Sequence, residues 1–287
     1  MDSLVTTSWL AARLDDPGIV ILDATLPPVG VTPPVDTRAR YYAEHIPGAV
    51  FFDIEALSDR PNPLPHMLPQ PDVFSRNVSA IGIGDQMDII IYEQEGVFSG
   101  PRAWWTLKTF GAQHVYLLDG GLRAWIEAGL PTNSGEVHRG PAVFHARLDQ
   151  KAVKDFSHMQ QMIATHGQIL DARSAGRFAG TIPEPRPGLS SGHMPRATSI
   201  PYSELVEEGR LKPVAELRRI FIAKGVDLQQ PITTTCGSGV TAAVLALGLE
   251  AAGAKQVSLY DGSWSEYASR PEAVIEIDGV RAASQSK

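Results

Sequence analysis

The sequence predicts two tandem α/β domains, each a parallel β-sheet flanked by helices on both faces. Three observations lead there. The 287 residues are too many for one average domain and sufficient for two stable cores. The chain also repeats itself. "VILDAT" (20–25) matches "QILDAR" (168–173), and "EHIPGAVFF" (44–52) matches "GHMPRATSI" (192–200). "AIGIGDQMDIIIYE" (80–93) matches "AKGVDLQQPITTTC" (223–236), and "GAQHVYLLDGG" (111–121) matches "GAKQVSLYDGS" (253–263). The matches stay in order, which chance similarity does not do. Finally, each copy alternates short β-branched runs with helical patterns, the arrangement of a parallel sheet covered on both sides.

The elements follow in order. "IVILDA" and "DIIIYE" are apolar runs of strand length, and "VYLLDGG" is a strand entering a turn. "PRAWWTLKTFGA" reads as a helix ending at a glycine that can take positive φ. In the second copy "PITTT" is a strand, "GVTAAVLALGLEAAGA" a helix closed by glycine, and "VSLYDGS" a further strand and turn. The predicted boundaries are 1–138 and 153–287, with a linker at 139–152. Turn formers already gather from Pro131 onward. The small, polar tail after Asp278 predicts disorder.

Composition narrows the function. An apolar content of 43% with 20% charged residues is that of a globular protein. The net charge of −7 argues against nucleic acid as a partner. The N-terminus carries an early acid and no basic start before an apolar run, so neither a secretory signal nor a transit peptide is expected. No apolar run approaches the roughly 18 residues a membrane span needs. A single cysteine excludes a disulfide framework within the chain and fits a reducing, cytoplasmic setting.

That cysteine, Cys236, lies in "TTTCGSGVTAA" (233–243), where a strand turns into a helix. Ligands bind at that edge of an open α/β sheet. Two glycines let the backbone curl with its N–H groups inward, and the helix start adds positive potential. Such surroundings favour the thiolate, the reactive form of a thiol. A buried, inert cysteine is the ordinary alternative. The first copy argues against it: Glu93 stands opposite Cys236, so the fold does not require a thiol there. One copy reads as active and the other as catalytically retired. A C-x5-R phosphatase would need arginine where the chain has Ala242. A metal site would need neighbouring ligands, and none is near in sequence. Sulfur transfer through a Cys236 persulfide, held by backbone amides, remains.

"HIPGAVFFDIEALSD", "PHMLP", "PRAWW", "GRFAGTIPEPRPG", "CGSGVTA" and "YDGSW" resemble the tandem-domain rhodanese superfamily, specifically its 3-mercaptopyruvate sulfurtransferases. The likeness runs over about residues 5 to 270. Thiosulfate sulfurtransferases of that superfamily place arginine and lysine after the cysteine, where this chain has Gly237 and Ser238.

The resemblance implies a set of roles. Cys236 is the nucleophile, and the loop of Gly237, Ser238, Gly239, Val240 and Thr241 cradles the persulfide. Arg177 and Arg186 bind the donor's carboxylate and carbonyl, whereas Arg173 is expected to pair within the fold. Ser238, His66 and Glu55 form a proton relay, with Asp53 as a rival acid because the family often has Asp at the Glu55 position. The expected donor is 3-mercaptopyruvate, and the acceptor a small thiol, thioredoxin or cyanide. No metal or organic cofactor is expected. A thiosulfate-dependent enzyme and a non-catalytic binding module are the competing readings. Asp23, Asp171, His45 and His193, present in both copies, read as structural. One departure stands out: Arg196 occupies a position where the family favours glycine, and it is a possible extra cation near the site.

Overall fold

The computed structural model describes residues 3–31 and 33–278. The disorder expected after Asp278 falls outside them. The first copy contains β1 (Leu4–Val5), α1 (Thr7–Ala11), β2 (Ile19–Asp23), α2 (Thr37–Ala43), β3 (Val50–Phe51), α3 (Pro71–Ala80), β4 (Asp88–Tyr92), α4 (Gly100–Thr109), β5 (Val115–Leu118) and α5 (Gly121–Glu127). The second contains β6 (Val153–Lys154), α6 (Phe156–Ala164), β7 (Gln168–Asp171), α7 (Ala175–Phe178), β8 (Thr198–Ser199), α8 (Val214–Ala223), β11 (Ile232–Thr235), α9 (Val240–Ala251), β12 (Val257–Tyr260) and α10 (Ser263–Tyr267). Between β8 and α8 the second copy adds a small antiparallel hairpin, β9 (Val206–Glu207) with β10 (Arg210–Leu211).

The two main sheets share one topology, β1-β5-β4-β2-β3 and β6-β12-β11-β7-β8, with every neighbouring pair parallel. The sequence repeat is thus a structural repeat. Alternation along β2 explains its continuous apolar run. Val20 and Leu22 face the large core between the copies, while Ile19 and Ile21 face an outer core with Leu10, Leu122 and Trp125. Both faces are buried, so both must be apolar.

The copies meet through α4 and α9. Over residues 242–249 helix α9 is apolar all round, as a helix packed on every side must be. Its Ala242, Ala243, Val244 and Leu245 are fully buried. One core therefore runs unbroken from Phe74 and Trp105 in the first copy to Leu217 and Phe221 in the second. The connector is no loose tether. Ala142 N donates to Ser79 O, Arg147 N to Phe110 O and Asp149 N to Thr109 O, and Phe144 sits edge-on to Phe74.

The shared histidines behave as expected. His45 and His193 are buried, and each turns Nδ1 to a carbonyl, Tyr41 O at 2.8 Å and Phe178 O at 3.0 Å. Arg196 has φ 67, and its counterpart Gly48 has φ 76. The turn is left-handed in both copies, and arginine bears a cost of about 1 kcal/mol there that glycine avoids. Arg196 does not reach the cysteine; it lines a separate groove with His166 and Thr198. Among the described residues, no helix is long and apolar enough to cross a membrane.

Candidate active site

Cys236 follows the last residue of β11 and is 2% exposed. The first turn of α10 fixes the loop from behind. Cys236 O accepts from Trp264 N at 2.9 Å, and Gly237 O accepts from Ser265 N at 3.0 Å and Ser265 Oγ at 2.7 Å. With those carbonyls held away, the N–H groups of Gly237, Ser238, Gly239, Val240 and Thr241 meet no acceptor among the described residues. They form an amide cradle at the start of α9. Gly239 caps that helix at φ 79, where an added Cβ would lie 2.7 Å from Arg102 Nη1. Only glycine fits both constraints.

The first copy shows what such a cradle holds. At the matching strand-to-helix turn, Glu93 folds its own carboxylate into the loop. Oε1 accepts from Phe98 N at 2.7 Å and Gly100 N at 2.9 Å, and Oε2 accepts from Ser99 N at 2.9 Å. The chain's own carboxyl group fills the first copy's cradle, and the second copy leaves its cradle facing a cavity.

That cavity measures about 450 Å³ and lies between the copies. Cys236, Gly237, Ser238, Val240, Thr241, Arg177 and Arg186 line it from the second copy. Glu55, His66, Phe98 and the Leu26–Val31 stretch line it from the first. Gly239 is not on the wall; it sits behind the cradle against Arg102. A larger groove, about 1000 Å³, lies at the N-terminal ends of β7, β11 and β12 beside Lys151 and Lys255. Size does not make it the site, because it holds neither a thiol nor an amide cradle.

The two arginines expected to bind the donor are unequal. Arg177 Nη2 bonds Glu184 Oε2 at 2.5 Å, and its Nε reaches Oε1 at 3.2 Å. Glu184 also takes Arg173 Nη1 at 2.8 Å. Arg173 is fully spoken for, forked onto Asp171 and stacked over Trp264. Arg186 forms no ion pair among the described residues. Burial pulls it below the ordinary guanidinium range, while the charges of Cys236 and Glu55 pull it back up. It is a cation on the cavity wall with no ion-pair partner among the described residues.

His66 is buried with φ 60. Its Nδ1 lies 3.0 Å from Glu55 Oε1, an ion-pair contact whose alignment falls short of a hydrogen bond. His66 nevertheless holds the Glu55 carboxyl below its usual range. Asp53 is turned elsewhere, pairing with Arg38 at 3.0 Å and capping Ala56 N. Ser238 and His66 share the cavity without a hydrogen bond to one another, so a donor has to complete any relay.

Sequence reasoning overlooked three residues here. Glu184 sits between the two named arginines of "GRFAGTIPEPRPG". Arg102 belongs to "PRAWW", which the sequence marked only as the start of a helix and a family motif. Asp261 was visible as the repeat partner of Asp119, and each accepts an arginine from the other copy: Arg102 to Asp261 and Arg210 to Asp119.

Comparison with known proteins agrees with this architecture. The rhodanese-like domain signature matches residues 6–128 and 153–270. The chain is 44% identical to 3-mercaptopyruvate sulfurtransferase of Escherichia coli K12 over 275 residues, covering 95% of this chain and 97% of that one. It is 41% identical to the Homo sapiens protein of the same name over 285 residues, covering 95% of each. The crystal structure of Escherichia coli SseA, described as a 3-mercaptopyruvate sulfotransferase of rhodanese fold, superposes with a TM-score of 0.85 at 42% identity, covering 92% of this chain and 99% of that one. The chain belongs to the rhodanese family, with two rhodanese-like domains in tandem.

Proposed function

We propose that the protein transfers the sulfur of 3-mercaptopyruvate through a Cys236 persulfide to a thiol or cyanide acceptor, releasing pyruvate. The observation that carries this reading is the open amide cradle around Cys236, sharing a cavity of small-molecule size with Arg186, a cation that forms no ion pair among the described residues. The relatives' names point to the same donor.

The Cys236 thiolate attacks the donor's sulfur. The carbon–sulfur bond breaks, and its electron pair leaves with the enolate of pyruvate. The donor's thiol proton passes through Ser238 and His66, steadied by Glu55, to the enolate carbon. Arg186 and the free edge of Arg177 hold the carboxylate and carbonyl. The cradle N–H groups carry the charge of the outer sulfur. An acceptor thiolate or cyanide then attacks that sulfur, the sulfur–sulfur bond breaks, and the Cys236 thiolate returns. This is covalent catalysis in two half-reactions. Small thiols, thioredoxin and cyanide all fit the acceptor role. We place the protein in the cytoplasm, where a lone thiol stays reduced, and the functional halves at 1–138 and 153–287.

A donor comparison tests the reading. Intact mass is recorded after 3-mercaptopyruvate or thiosulfate alone, and turnover is measured with each. The expected result is a strong preference for mercaptopyruvate and the gain of one sulfur, both lost in a folded Cys236→Ser. A preference for thiosulfate would overturn the donor. No gain with either would leave a binding module.

A further inference from the structure

The first copy grips the cradle through one buried guanidinium. Arg102, on α4, is 1% exposed. Its Nη2 donates to the carbonyl of His66 and to Asp261 Oδ1, the latter at 2.7 Å. Its Nη1 reaches the carbonyl of Gly239 at 3.4 Å. Asp261 follows β12, and its second oxygen accepts from Leu68 N at 2.8 Å. His66 is therefore held at its own carbonyl and again two residues on. Its φ of 60 is a conformation that a non-glycine residue keeps only when its surroundings dictate it.

The histidine comes from one copy and the thiol from the other. Their separation is set by whatever crosses between the copies, and this pair crosses while touching both loops. A buried ion pair adds little net stability, because desolvation offsets the attraction. A guanidinium shared by three oxygen acceptors does fix directions. We propose that Arg102 and Asp261 are positioning residues for sulfur transfer, registering the His66 loop against the Cys236 cradle. The inference rests on the relay reading given above.

Single-turnover persulfide formation with saturating mercaptopyruvate, read as the gain of one sulfur in intact mass, isolates the step that moves a proton. Discharge of the loaded enzyme by cyanide is the step that does not. Arg102→Lys keeps the charge and loses the fork. A double variant, Arg102→Met with Asp261→Asn, removes both charges and leaves Leu68 N an acceptor. It serves where the lysine variant does not fold. The expected result is formation slowed about 10- to 100-fold with discharge near wild type, since small misplacements cost that much. His66→Gln in the same assay should slow formation alike. A slow His66→Gln beside a wild-type rate in a folded Arg102 variant overturns this inference alone. Equal losses in formation and discharge overturn it too, since they mean a distorted cradle. A normal rate in His66→Gln overturns the relay, and this inference with it.

Discussion

A Cβ placed on Gly237 would lie 2.8 Å from Arg177 Nη2. The atom it meets is the end of a flexible side chain, so the fold survives and the guanidinium turns away. Gly237→Ala should therefore melt within a few degrees of wild type while the donor's KM rises about tenfold or more, the worth of one hydrogen bond to a charged group. Steady-state kinetics beside a melting curve check this, and an unchanged KM would remove Arg177 from donor binding. The rival acids separate at the same scale. Glu55 meets His66, and Asp53 meets Arg38 and the N–H of Ala56. Glu55→Ala should slow persulfide formation. Asp53→Ala should cost about 1 kcal/mol of stability, as a lost cap does, and leave formation unchanged. Sequence could not choose between them, because both acids fall in one loop and only the tertiary fold decides which one meets the histidine.

Among the elements, the turn from β4 to α4 in the first copy makes a distinct prediction. Burial pushes the Glu93 carboxyl up to about 7, against the pull of the N–H groups it accepts from. The neighbouring hydroxyl gives this a structural reason. Ser99 Oγ lies 2.8 Å from Ala24 O and 3.1 Å from Glu93 Oε2, two acceptors for one proton. A protonated Glu93 resolves the conflict by donating to Ser99 Oγ. The folded state thus holds this proton more tightly than the unfolded chain does. The associated stability is complete below about pH 4.5, the ordinary glutamate value, and is lost as pH rises through about 7. Glu93→Gln lacks one acceptor and should be less stable by about 1–3 kcal/mol in acid. The gap to wild type should narrow between pH 5 and pH 8, and thermal melts across that range would show it. A constant gap would mean Glu93 stays ionised throughout.

The same turn shows what was legible. The β-branched runs of β2 and β4, the glycine-closed helices α4 and α9, and the cysteine between strand and helix all announce themselves locally. The two-residue edge strands β1, β3, β6 and β8 do not, being too short to carry a period. Nor does the Glu93 carboxyl folded into its own loop, since nothing in "EQEGVFSG" says where a side chain folds back.

For the whole molecule, the decisive contacts join residues far apart in the chain. Arg102 and Asp261, Lys108 and Glu250, and Arg210 and Asp119 all bridge the copies. They are invisible to any local pattern. Beneath them the apolar core passes from one copy to the other through α4 and α9. Two repeats with separate cores would melt separately. Two repeats sharing the core that surrounds α9 cannot, because opening either one exposes that helix. Calorimetry should show a single transition whose calorimetric and van't Hoff enthalpies agree. The second copy alone, residues 139–287, should then associate through its uncovered α9 face and form no persulfide at the wild-type rate, lacking His66 and Glu55. Two resolved transitions, or a monomeric second copy with full activity, would mean that the first copy is a passenger. One transition and an inactive half would mean that a copy without a nucleophile remains because it supplies half of the core and one wall of the site.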